Sequence, residues 1–293
     1  MSYSQQFERN LGFFSSDEQD KLQSSSIAIA GAGGDGGMLA VQLARLGIGE
    51  IRLADPDPFE IENINRQAVC NTETIGVNKA RAVGQYLQKI NPEANISIFE
   101  EGITPQNTAE FLKGADLLID ETEFTIPAIG VGLAREARNI SIPNLTAFNI
   151  GFGAVVTTYK PEGHKLEETL GIDENMTLEE VAKVEVPLAR WLPYLPGYGD
   201  IQVLEKVARQ EKPAPSVAPG VAIAAGAAAT QAVLNLLHGE NKRKAPVYAS
   251  NALVIDVMEV KARIIKYNRT SHYRYLGQLL VRNMLKLNPK TSY

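Results

Sequence analysis

The chain is poor in the residues that several kinds of chemistry need. It has one cysteine, Cys70, one tryptophan and three histidines. A lone cysteine excludes an intrachain disulfide and a cysteine-built zinc cluster, and so small a count suits a reducing compartment, so a cytoplasmic protein is the expectation. His164, His238 and His272 share no metal-ligand or triad spacing. No window holds the roughly eighteen consecutive apolar residues of a membrane-spanning helix. The nearest, SVAPGVAIAAGAAATQAVLNLL, is rich in alanine and broken by Pro219 and Gly226. The N-terminal MSYSQQFERN is polar and has no apolar signal core. A net charge of −5 gives no reason to expect nucleic-acid binding by the molecule as a whole. With 44% apolar residues, the 293-residue chain has material for one large core or two modest ones.

Short β-branched runs alternate with helical patterns through the first half. The strand candidates are SIAIA (26–30), EIRLAD (50–55), ISIF (96–99), DLLID (116–120) and PNLTAF (143–148). In the intervening IGVNKARAVGQYLQKI, Ile75, Val83, Leu87 and Ile90 recur near the helical period. Such alternation predicts a doubly wound, mostly parallel Rossmann-like α/β sheet covered on both faces. GAVVTTYK reads as an antiparallel strand, and APVYASNALVIDVMEVKARIIKY as a strand pair, an antiparallel C-terminal extension of that sheet. Between them, residues 162–212 carry 11 Asp or Glu against 6 Lys or Arg, with the prolines and tyrosines of LARWLPYLPGYGD, and read as an irregular surface excursion. The Ala-rich stretch after it reads as a buried helix.

Between the first strand and its helix lies GAGGDGG, with five glycines in seven residues. Gly31 permits a tight turn, Gly33 removes bulk where a nucleotide approaches, and a further glycine lets helix and strand pack closely. The helix N-terminus adds unpaired N–H groups for an anion. Asp35 sits oddly among these glycines. A dinucleotide-binding dehydrogenase would need little more than Asp55 at the end of the second strand. This chain continues with DPDPFEIENINRQ and GVNKARA, which add Asp57, Asn63, Arg66, Gln67 and Lys79. A guanidinium fork and a mobile ammonium suit a triphosphate better than a nicotinamide.

In this order GAGGDGG, ADPDPFEIENINRQ, IGVNKA, INP and LLIDETEF resemble the adenylating enzymes of the ThiF/MoeB/HesA class, bacterial relatives of ubiquitin-activating (E1) enzymes. The resemblance runs from about residue 6 to 160 and resumes at SVAPGVAIAAGAAATQA. It implies ATP and Mg²⁺, attack of a carboxylate on the α-phosphate, and release of pyrophosphate. Gly31, Gly33, Gly34 and Gly36 would then line the adenosine side, with Asp57 nearby and Asp55 on the ribose hydroxyls. Asn63, Arg66, Gln67 and Lys79 would line the triphosphate. Arg9 would reach the phosphates from the other protomer of a homodimer. The acyl donor would be a small β-grasp protein or a precursor peptide, bound by segment 161–215. On this basis the chain divides into an N-terminal helical arm (1–25), an ATP-binding core (26–160), the acidic crossover segment (161–215), a completing helix and strands (216–270) and a basic tail (271–293).

Three departures from the pattern are visible. The D-x-T-D-N stretch of the class is here Asp120-Glu121-Thr122-Glu123-Phe124, so Glu123 would hold Mg²⁺ from a side chain about 1.5 Å longer. No C-x-x-C pairs are present, so no zinc is expected. No cysteine follows residue 150, which predicts an adenylate released without an enzyme thioester; Cys70 reads as a packing residue. An acid in the first turn favours the helix itself; because the relatives usually carry an apolar residue where Asp35 stands, the alternative is that it faces the acyl substrate or the dimer partner. Two related readings stay open: a tRNA-borne or small-molecule carboxylate as substrate, for which the basic C-terminal region is the favouring feature, and a degenerate non-catalytic subunit. No membrane partner is expected.

Overall fold

In the computed structural model, residues 2–240 and 243–266 are described, with Gly277 beyond them; the basic tail and His272 otherwise lie outside the described residues. Eight strands form one sheet: β1 Ser26–Ala30, β2 Glu50–Ala54, β3 Asn95–Phe99, β4 Leu117–Asp120, β5 Asn144–Ile150, β6 Gly153–Tyr159, β7 Asn251–Asp256 and β8 Lys261–Lys266. Their order is β3-β2-β1-β4-β5-β6-β7-β8. Pairing is parallel from β3 to β5 and antiparallel from β5 to β8. This is the doubly wound sheet with the antiparallel extension that the alternation predicts. The order reverses between β1 and β4, and a crevice opens there beyond their carboxyl ends.

The helices are α1 Tyr3–Gln6, α2 Ser16–Ser24, α3 Gly34–Leu46, α4 Lys79–Ile90, α5 Thr108–Leu112, α6 Pro127–Asn139, α7 Leu166–Leu170, α8 Leu178–Val181, α9 Leu188–Trp191, α10 Ile201–Ala208 and α11 Ala218–Leu236. β1 and β4 are buried along their whole length, as expected for central parallel strands made of SIAIA and LLID. On one face α3, α4 and α11 close the main core, in which Ile27, Ile29, Leu39, Leu43, Ile51 and Leu53 are buried with the alanines of α11. By length and composition α11 could cross a membrane, but most of it is buried inside the protein against α3, β5 and β6. Its small residues permit the close approach: a Cβ on Gly220 would lie 2.1 Å from the carbonyl oxygen of Gly151.

The acidic segment corrects its sequence reading. It is not an irregular excursion but a layer of four short helices, α7 to α10, with a small core of its own. Leu166, Leu170, Ile172, Val181 and Trp191 are buried there against Val131 and Ala134 of α6. Many of its charges lie on the outer surface, so a composition rich in Asp and Glu hid the apolar positions. Its tyrosines are anchors. Tyr194 and Tyr198 donate to the buried carboxylate of Asp256 at 2.9 and 3.1 Å, and Tyr198 Oη accepts from the Phe152 amide at 2.6 Å.

One ion cluster joins this layer to α6. Glu167, with a side chain 1% exposed, accepts from Arg135 Nε at 3.0 Å and from Arg138 at 2.6 and 3.0 Å. Burial pushes its carboxyl up, but Arg138 and Arg135 outweigh this and hold it below the usual carboxylate range. Removing one partner of a buried ion pair leaves uncompensated charge and costs about 3–5 kcal/mol. Glu167→Ala is therefore expected to lower unfolding free energy by about that amount in urea titration at pH 7, and a loss under about 1 kcal/mol would contradict the assignment.

Candidate nucleotide site

The crevice is built on backbone that tolerates no side chain. Gly31 turns the chain out of β1 with φ +97°, and a Cβ there would lie 2.3 Å from the carbonyl oxygen of Glu121, which follows β4. A Cβ on Gly36 would meet the Gly31 carbonyl oxygen at 2.0 Å. Both glycines are needed by the fold itself. Gly33 is different: as the N-cap of α3, its missing Cβ would have only the Gln67 amide near it, at 3.8–3.9 Å. That space opens at the N-terminus of a thirteen-residue helix, where unpaired N–H groups favour an anion.

Loop 61–67 lies over this turn. A Cβ on Gly34 would lie 3.9 Å from Arg66 Cγ. Arg66 Nη1 donates to the Glu62 carbonyl at 3.1 Å and to Asn65 Oδ1 at 2.8 Å. Gln67 is buried, and its Oε1 has no hydrogen-bond partner in the protein. An open cradle at Gly33 beside an unpaired amide oxygen fits a bound nucleotide. Asn63 uses its Oδ1 to accept from the Glu60 amide at 3.0 Å, closing the turn that carries Arg66.

Asp55, buried at the end of β2, holds the glycine loop: Oδ2 accepts from the Ala32 amide at 2.7 Å and Oδ1 from the Asp57 amide at 3.0 Å. Burial pushes its carboxyl up against these two amides and Lys79. Lys79, the first residue of α4, is paired with Asp57 at 3.0 Å. Asp57 thus orients a cation. Cys70 is buried; burial pushes its thiol up despite Lys79 and Arg66, which leaves it poorly nucleophilic. It packs as expected. His164 bonds Thr169 Oγ1 at 3.0 Å, and His238 meets the Tyr248 ring, so neither stands in the crevice chemistry.

The DETEF stretch splits inward and outward. Asp120 is buried and accepts from the Thr122 amide and hydroxyl at 3.1 and 2.7 Å. Glu121 points under the glycine loop and accepts from the Ala147 amide at 3.1 Å; burial, then Asp35 and Asp120, push its carboxyl well up. Glu123 is exposed and accepts from the Thr125 amide at 3.4 Å. Phe124 packs edge-on against Trp191 of α9, with ring centroids 6.3 Å apart, so the aromatic ring supports the acidic segment. Arg9 lies elsewhere. Its neighbour Asn10 donates to the Leu46 carbonyl at the C-terminal end of α3, one helix length, about 20 Å, from the glycine loop.

Asp35 is tied within its own chain: Oδ2 accepts from the Asn149 amide at 2.9 Å and from its side-chain Nδ2 at 2.8 Å. Nothing local predicts Asn149, which is 114 residues away. The roles of Asn65 and Ser216 are hidden in the sequence for the same reason, being 151 residues apart, although Asn65 stands inside NINRQ.

Gly36→Ala should fail to fold or lose several kcal/mol, whereas Gly33→Ala should keep its unfolding midpoint and lose nucleotide affinity. Equal midpoints for both variants would refute the division. Burial pushes the Asp35 carboxyl up to about 6, against the Asn149 bonds and Arg66. Because the folded value is raised, the folded chain binds this proton more tightly than the unfolded one. The associated stability is full below about pH 4 and lost as pH rises through about 6, by about 3 kcal/mol at most. Asp35→Asn keeps an acceptor for Asn149 and removes the charge facing Glu121, so it should gain more stability at pH 8 than at pH 4.5 in urea titrations. A pH-independent effect would overturn this.

Comparison with known proteins agrees with this geometry. Residues 4–274 match the ThiF family. The chain is 35% identical over 120 residues to the tRNA threonylcarbamoyladenosine dehydratase of Haemophilus influenzae, covering 41% of this chain and 46% of that protein. It is 31% identical over 145 residues to the sulfur carrier protein ThiS adenylyltransferase of Escherichia coli, covering 50% and 57%. The alignments thus span about half the length of these relatives. Among solved structures, E. coli MccB with MccA-N7isoASN superposes over 92% of this chain and 73% of that one, with a TM-score of 0.66 at 23% identity, a likeness of fold. With the glycine loop, the strand-end Asp55, and Arg66 and Lys79 set around one crevice, and a family match over nearly its whole length, the chain belongs to the ThiF family.

Proposed function

We propose that this protein uses ATP to adenylate a carboxylate, releasing pyrophosphate. The observation that supports the reading best is the open cradle at Gly33 on the N-terminus of α3, with Arg66 beside the adjoining Gly34 and Lys79 held by Asp57 next to the strand-end Asp55. In the reaction a carboxylate oxygen bonds to the α-phosphorus as the bond to the bridging oxygen breaks, and pyrophosphate leaves with that electron pair. Charge grows on the phosphoryl and leaving oxygens, which fixed cations and helix N–H groups stabilise. No general base is required, since the carboxylate is already ionised at pH 7. Asp55 would meet the ribose hydroxyls with the lone pairs left over from holding Ala32 and Asp57.

Magnesium fits the site in one way. Among the described residues no cluster of three or more His, Cys, Asp or Glu suits a metal. Mg²⁺ would therefore rest mainly on phosphate oxygens with the single carboxylate of Glu123, and would neutralise charge there. What supports a homodimer with Arg9 reaching the partner's phosphates is the place of Arg9, far from the site of its own chain. A cytoplasmic setting is part of the same reading. With no cysteine after Cys70, the adenylate would be consumed by an outside nucleophile.

For the acyl donor we favour the C-terminus of a small β-grasp protein or a precursor peptide, approaching along segment 161–215. The names of the relatives support either this reading, through ThiS and MccA, or a tRNA-borne carboxylate, through the dehydratase. ATP–pyrophosphate exchange should require one of these donors and fall at least about 100-fold in Arg66→Ala, the scale of removing one transition-state donor. Exchange unaffected by Arg66→Ala would sink the proposal. Exchange driven by tRNA alone would select the second donor.

A further inference from the structure

The return of the crossover segment is tied to the triphosphate side of the crevice. Just before α11, the Ser216 hydroxyl donates to Asn149 Oδ1 at 2.8 Å, and the Ser216 carbonyl accepts from Asn65 Nδ2 at 3.1 Å. On one side Asn65 Oδ1 accepts from Arg66 Nη1 at 2.8 Å. On the other, Asn149 is clamped by Asp35 in the first turn of α3. A continuous chain therefore runs from the helix N-terminus through Asp35, Asn149, Ser216 and Asn65 to the Arg66 guanidinium. Each amide uses both its ends, donating through Nδ2 and accepting through Oδ1, so rotating one breaks two bonds.

We infer that Asn65, Ser216 and Asn149 are positioning residues that hold Arg66 toward the cradle at Gly33, so that the seating of the end of segment 161–215 sets the affinity for a triphosphate. This rests on the adenylation reading for the role of Arg66. An arginine on a surface loop has many rotamers, and only one of its terminal nitrogens is held by these contacts, with Asn65 and the Glu62 carbonyl sharing it. Without the Ser216 carbonyl, Asn65 has no fixed amide plane to present. Coupling is reciprocal: whatever orders Arg66, such as a bound triphosphate, also stabilises the seat of Ser216 and of the segment that ends there.

The test uses the full chain, with α,β-methylene ATP as a non-reacting probe and adenosine as control, in calorimetric titration. Each hydrogen bond contributes modestly, so Asn65→Ala, Ser216→Ala and Asn149→Ala are each expected to weaken the probe about three- to tenfold. Adenosine affinity should hold in all three variants and the unfolding midpoint in Asn65→Ala and Ser216→Ala, whereas Asn149→Ala also loses stability because Asp35 gives up its side-chain donor; Ser216→Thr, which keeps the hydroxyl, should restore binding. In an Arg66→Ala background the Ser216→Ala loss should vanish, because the relay then has nothing to position. Bound probe should also slow proteolysis within 161–215 in the natural protein and not in Asn65→Ala. Losses that persist undiminished without Arg66, or no loss at all, would overturn the relay while leaving adenylation standing. Failure of the unaltered chain to bind the probe would instead overturn the adenylation reading.

Discussion

The close contact between the turn after β1 and the turn after β4 governs the rest of the molecule. Backbone meets backbone there, with the Gly31 and Gly36 positions against the Glu121 carbonyl and the Gly31 carbonyl at distances no side chain could share. This contact brings the start of α3 to the switch point of the sheet. The Asp55 carboxylate locks the same turn from β2. Once the turn is fixed, loop 61–67 has a floor, and Arg66 and Gln67 come to lie above the open glycine.

Acidity is handled at two depths. Outward, Asp57 and Glu123 are exposed and meet a cation or solvent. Inward, the buried Asp120 and the half-buried Asp35 and Glu121 form an acidic floor under the glycines, where desolvation favours their neutral forms. Buried acids are tolerated because backbone amides of β5 and of the DETEF turn, with Asn149, supply hydrogen bonds.

The local parts of the fold and site could be read from the sequence. Apolar runs bounded by turn residues marked β1, β2 and β4, and the glycine spacing marked the turn before α3. The strand-end Asp55 and the run to Lys79 fell within one short span, so their meeting followed from one β-α-β unit. What could not be read depends on distant pairings. The role of Asp35 waits on Asn149, brought close only by the antiparallel turn of β5 into β6, and the tyrosines of LARWLPYLPGYGD wait on Asp256 in β7. Composition misled for residues 162–212, since an amphipathic layer of very short helices places most of its residues on the charged outer face.

The acidic layer is tethered at both ends. It leaves from β6 at Tyr159 and returns at Ser216, and these two posts belong to the sheet and the crevice rather than to the layer. A loop closed between fixed posts is insensitive to its own length, because doubling a flexible loop costs only about 0.6 kcal/mol in closure entropy. Changes of length between the posts that spare the Glu167 cluster, the tyrosine anchors on Asp256 and the seat of Ser216 therefore cost little closure entropy. Under the adenylation reading proposed above, a change of acyl partner would call for changes within this one tethered insert.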